Sequence, residues 1–114
     1  MVSDALFNIG LTHFLVLSFI VAAAGVATLL TKRNAIGILI GIELIVNAAA
    51  INMVAFNRYA WPGSAADPAI AGQMFGVFII VLAAAEAAVA LAIFLNYYNN
   101  FNSIDVDRAD EIQG

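Results

Sequence analysis

Three long apolar stretches, about residues 11–31, 35–56 and 70–95, decide what this chain can become. A helix rises 1.5 Å per residue, so roughly 20 apolar residues cross the ~30 Å hydrocarbon core of a bilayer. Each stretch is long enough. Within each, the apolar residues form continuous blocks and not the spaced stripe of a surface helix. The whole chain has 114 residues and is 64% hydrophobic, against about 45–50% in soluble domains. Backbone N–H and C=O groups in hydrocarbon must be satisfied within the protein, and a helix does this residue by residue. The expected fold is an all-α membrane protein with three transmembrane helices in an antiparallel arrangement. It forms a single membrane domain with a polar, acidic tail over 96–114.

The punctuation between the stretches supports this division. Lys32-Arg33-Asn34 makes a short polar turn after the first helix. The segment NRYAWPGSAADPA holds both prolines and reads as a loop, with Pro62-Gly63 as turn chemistry. The third helix is longer than a perpendicular crossing needs, which predicts tilt or local irregularity. Lys32, Arg33 and Arg108 mark one side of the membrane and Arg58 the other. By the positive-inside rule the first loop and C-terminus are cytoplasmic, and the N-terminus and second loop face out. Tyr59 and Trp61 belong to one interfacial belt, and Tyr97, Tyr98 and Phe101 to the other. The opening residues MVSDALFNIG lack a positive n-region, so the first helix is expected to be retained. No internal repeat is evident.

Composition removes several function classes. With no cysteine, the chain cannot ligate an iron–sulfur cluster through thiolates or form a disulfide. His13 is the single histidine, which excludes a bis-histidine haem within the chain. Its place near the outer end of the first helix suits an interfacial or packing role. The net charge of −4 arises largely from acids in the tail, and no basic stretch points to nucleic acid.

Only Glu43 and Glu86 interrupt the apolar helices with charge. A charged side chain at the bilayer centre costs about 2.5–3.5 kcal/mol even on insertion scales. Glu43 lies near the ninth residue of the second helix, and Glu86 about nine residues before the expected end of the third. Those two ends share one side of the membrane, so both carboxylates are expected roughly 14 Å in, at matching depth. Low dielectric disfavours the charged form of a carboxyl group, and a neighbouring carboxylate acts in the same direction. A group so placed can hold a proton and release it when a nearby charge moves, as a proton relay requires. The plainer reading is a neutral hydrogen-bonding group that ties helices together. Asn47, one turn from Glu43, fits either reading. Small residues surround both positions: Gly37-xxx-Gly41 and Ala48-Ala49-Ala50 near Glu43, and AAAEAA around Glu86. They permit close helix approach, and ordinary packing explains the alanines. Three helices cannot enclose a channel, so the polar faces are expected to meet other helices.

Two segments carry a family resemblance. KRNAIGILIGIELIVNAAAINMVAF resembles the second helix, and GQMFGVFIIVLAAAEAAVALAIFL the third helix, of the K-subunit family of bacterial respiratory complex I, counterpart of the mitochondrial 4L subunit. The tail NSIDVDRADEIQG is similar too, and GIELIVNA with AAAEAAVALA is specific in combination. The resemblance implies a membrane-arm subunit of a proton-translocating NADH:quinone oxidoreductase in the bacterial inner membrane. It implies that Glu43 and Glu86 belong to the proton and charge relay coupling quinone reduction to pumping. Lys32 and Arg33 match the basic pair of the first cytoplasmic loop. It further implies no cofactor in this chain, with NADH, FMN, iron–sulfur clusters and quinone held by partner subunits. The expected partners are other membrane-arm subunits, including the antiporter-like ones, and the lipid bilayer. The WPGSAADPA loop departs from the family pattern and touches no proposed site.

Other readings make different demands. A ferredoxin-dependent photosynthetic complex, a multisubunit cation/proton antiporter and a membrane-bound hydrogenase have comparable small subunits. A small drug/proton exchanger would have four helices and an acid in the first, where this chain has none. A purely structural bundle subunit would tolerate glutamine at both glutamates.

Overall fold

The computed structural model describes residues 6–60 and 70–101, with the side chain of Phe101 excepted. Trp61, the Pro62-Gly63 turn and Arg108 lie outside the described residues. Three helices are long and apolar enough to cross a membrane: α1 (Leu11–Thr31), α2 (Ala35–Tyr59) and α3 (Ala71–Phe101).

Local chemistry sets the ends. His13 Nδ1 accepts the Gly10 N–H at 3.2 Å, which satisfies a backbone donor at the start of α1. The single histidine thus serves the helix terminus. Lys32 ends α1, its N–H donating to the Thr28 carbonyl at 3.0 Å. Asn34 starts α2 as an N-cap, its side-chain oxygen accepting from Ile36 N–H at 2.8 Å. Two helices outrun the expected bounds: α2 ends at Tyr59, not Phe56, and α3 at Phe101, not Leu95. The reason is physical. Asn57-Arg58-Tyr59 and Asn96 to Asn100 are polar enough to leave hydrocarbon, but no glycine or proline stops the backbone there. Hydropathy reports where the membrane ends, not where the helix does.

The middle helix organises the molecule. Both α1 and α3 pack on α2. The thinnest dimension is 16 Å, little more than one helix diameter of about 10–12 Å. The three helices therefore lie side by side, with α2 in the middle. The buried residues are small: Ala35, Ala48, Ala50, Ala55 and Ala83, with Gly25 and Gly41 at the α1–α2 crossing. Large apolar side chains face outward, including Phe19, Leu30, Phe78 and Val89. Lipid tails are as apolar as leucine, so helix contact rests on close backbone approach, not on burying bulky groups.

That approach is closest at Gly25 and Gly41. A Cβ on Gly25 would meet the Gly41 carbonyl oxygen at 2.7 Å, and one on Gly41 would meet the Gly25 carbonyl oxygen at 2.8 Å. Between α2 and α3, Gly72 sits under Asn57 and Gly76 under Val54. Gly37 plays another part: the stem of Lys32 occupies the space its Cβ would take.

Candidate functional site: two carboxyl groups at one level

The glycine contacts fix the register of α2 against α3, with Gly72 against Asn57. Fourteen residues back from Asn57 lies Glu43, and fourteen residues on from Gly72 lies Glu86. At 1.5 Å per residue, both carboxyl-bearing residues are therefore about 21 Å along neighbouring antiparallel helices from one shared contact. The depth match expected from helix ends thus rests on a firmer basis, helix packing. The extension of α3 to Phe101 leaves it intact.

Their surroundings differ. Glu43 is half-buried. Its Oε1 is enclosed and has no hydrogen-bond partner among the described residues. An enclosed polar atom left unpaired costs about 1–3 kcal/mol. Glu43 also lines a shallow groove of about 300 Å³ with Leu39, Ile40, Asn47 and Leu91. Glu86, in contrast, is exposed on the outside of the three-helix layer, flanking the line of Ala83, Ala87 and Ala90 that turns toward α2. The chain alone therefore does not bury Glu86.

Asn47 does not orient the Glu43 carboxyl group. Its Nδ2 donates to the Glu43 backbone carbonyl at 2.8 Å, a back-bond one helical turn long. Its position is still informative, because Asn47 lines both the Glu43 groove and a larger one toward the other end of α2. Lys32 and Arg33 are exposed at the α1–α2 turn, at the end of the molecule nearer Glu43.

Two interhelical polar contacts were not singled out by the sequence reading. Ser18 hydrogen-bonds Asn52 across the α1–α2 crossing and also donates to the Leu15 carbonyl at 2.9 Å. Gln73 Nε2 donates to Asn57 Oδ1 at 3.3 Å and to the Val54 carbonyl at 3.4 Å. Ser18 and Asn57 are both buried. The available signal was a short neutral polar side chain inside an apolar run. Among the described residues no three His, Cys, Asp or Glu side chains gather as metal ligands.

Comparison with known proteins agrees along nearly the whole chain. The family described as NADH-ubiquinone/plastoquinone oxidoreductase chain 4L matches residues 13–114. The NADH-quinone oxidoreductase subunit K of Chlorobaculum tepidum is 43% identical over 113 residues, covering 99% of each chain. Subunit K of a Geobacillus strain is 44% identical over 106 residues, 93% of this chain and 97% of its own. A chloroplastic NAD(P)H-quinone oxidoreductase subunit 4L from Chara vulgaris is 46% identical over 98 residues, 86% of this chain and 93% of its own.

Proposed function

The chain belongs to the chain 4L family of NADH-quinone oxidoreductases, and from that premise we propose that Glu43 and Glu86 are its proton-exchanging groups. It is a multi-pass subunit of the membrane arm of a proton-translocating NADH:quinone oxidoreductase, and the redox centres belong to other subunits. The observation that carries the proposal is the α2–α3 register, which supports two carboxyl groups at one level on adjacent helices. Their faces support a lateral route. Glu43 opens on a groove and Glu86 on the outer surface, so each is placed to meet a helix of another subunit. A carboxyl group excluded from water at such a boundary is neutral in one charge state of its neighbours and ionised in another. That alternation moves a proton without any redox chemistry in this chain.

The supporting residues take more modest roles. Asn47 extends the polar edge of the Glu43 groove toward the middle of α2. Lys32 and Arg33 anchor the cytoplasmic turn and offer cations to a partner carboxylate or a lipid headgroup. NADH, FMN, iron–sulfur clusters and quinone are assigned to partner subunits, and the direct neighbours of this chain are other membrane-arm subunits, including the antiporter-like ones. In a bacterial plasma membrane the N-terminus faces out and the C-terminus the cytoplasm.

The test is conservative replacement in the assembled complex. Glutamine keeps the shape and hydrogen-bonding polarity of a neutral glutamic acid but cannot exchange a proton. Glu43→Gln and Glu86→Gln are expected to assemble, yet to lower proton pumping and coupled quinone reduction in membrane vesicles. Wild-type pumping by both variants in fully assembled complex would reduce the two carboxyls to structural contacts.

A further inference from the structure

A concavity larger than the Glu43 groove lies away from Glu43, toward the opposite end of the layer. It holds about 430 Å³ between α1 and α3, with α2 as its floor. Its walls are mainly apolar, among them Leu17, Ile51, Val54 and Ile80. Arg58 lines it near the C-terminal end of α2, and Asn47 lies near the middle of the same helix. The guanidinium carbon lies 5.5 Å from the centre of the Tyr59 ring, and Tyr59 stacks on Phe14 with centroids 5.8 Å apart. Cation and aromatic pair thus form a rim at one mouth of an apolar slot.

We infer that this slot is a binding site for one anionic phospholipid of the leaflet at the α2 C-terminal end. Its phosphate would sit at Arg58 and an acyl chain along Leu17, Ile51 and Val54. Length and charge both argue for it. From Asn47 to Arg58 is eleven residues, or roughly 16 Å of helix rise. One leaflet of a ~30 Å hydrocarbon core is about the same. The slot therefore runs from the interfacial belt to near the midplane, the span of one acyl chain. Arg58 places a fixed positive charge where a phosphate ends, and among the described residues it forms no ion pair. The larger slot holds the cation and the smaller groove beyond Asn47 holds the carboxyl group.

The consequence is a lipid wedged between α1 and α3, bracing two helices that each pack chiefly on α2. The experiment uses assembled complex reconstituted in vesicles with phosphatidylglycerol or phosphatidylcholine carrying a photoreactive acyl chain. Labelled peptides are then mapped. Labelling is expected within residues 51–58, with the anionic probe favoured roughly fivefold, the worth of one cationic side chain at an anionic surface. Arg58→Gln should remove that preference and Arg58→Lys should retain it. Should Arg58→Gln fail to assemble, competition in wild-type complex decides. Unlabelled phosphatidylglycerol should displace the probe better than phosphatidylcholine does. Equal displacement, no label within 51–58, or disulfide trapping of Ile51→Cys by a partner subunit's helix would each overturn the assignment.

Discussion

Asn57 shows how much a single neutral side chain contributes to a buried helix contact near the membrane boundary. It is 4% exposed, accepts from Gln73 and has Gly72 of α3 against its stem. Replacing it by leucine keeps much of its volume but removes the acceptor. Interhelical hydrogen bonds in membranes average ~0.6 kcal/mol and reach ~1.7. Asn57→Leu is therefore expected to lower the thermal stability of purified complex modestly while leaving pumping per assembled complex unchanged. A large loss of pumping at normal assembly would mean that Asn57 belongs to the proton path. The contrast with the glutamates explains what was legible in the sequence. A carboxyl in hydrocarbon is costly enough to stand out in a single sequence, so Glu43 and Glu86 announce themselves. Ser18, Asn52, Asn57 and Gln73 cost less, and each acquires meaning only from a partner on another helix. Asn47 was legible as a neighbour of Glu43. That its amide turns to the Glu43 backbone is decided by the side-chain rotamer, which spacing does not determine.

Among the elements, α2 bears the organisation, and its contact with α1 depends on two glycines. The carbonyl oxygens of Gly25 and Gly41 each stand where the other's Cβ would be. A larger residue there must push backbone against backbone, where little can yield. Gly41→Leu is expected to destabilise the α1–α2 pair by about 1–3 kcal/mol, the usual range for overpacking, and Gly41→Ala by less. Gly10→Ala is the matched control, since nothing lies within 4 Å of the added atom. The measurement is the fraction of subunit recovered in assembled complex. Full recovery of Gly41→Leu would remove the crossing as a determinant. The existence and order of all three helices were readable, because twenty apolar residues have few other uses. The bounds of α1 were readable too, but the C-terminal ends of α2 and α3 were not, because Asn57 to Tyr59 and Asn96 to Phe101 leave the hydrocarbon without leaving the helix. The importance of Gly41 was visible in Gly37-xxx-Gly41, but its partner Gly25 and the different duty of Gly37 under Lys32 follow from packing alone.

As a whole the molecule is a layer one helix thick, with small residues inside and bulky apolar ones outside. Such a layer presents two broad faces to lipid and to other subunits, and the two carboxyl-bearing residues stand at one level of it. The orientation proposed for it rests on the distribution of Lys and Arg. Single cysteines at Ser64 and Ser103 are expected to react with impermeant reagents from opposite sides, Ser64 from outside. Reaction of both from one side would contradict three crossings. The central claim is that the two glutamates change protonation as the complex turns over. The most direct measurement is an infrared difference spectrum of assembled complex between its oxidised and NADH-reduced states, in the carboxylic-acid carbonyl region. The account predicts difference bands that lose intensity in Glu43→Gln and in Glu86→Gln. A difference spectrum in that region unchanged by either replacement would contradict it.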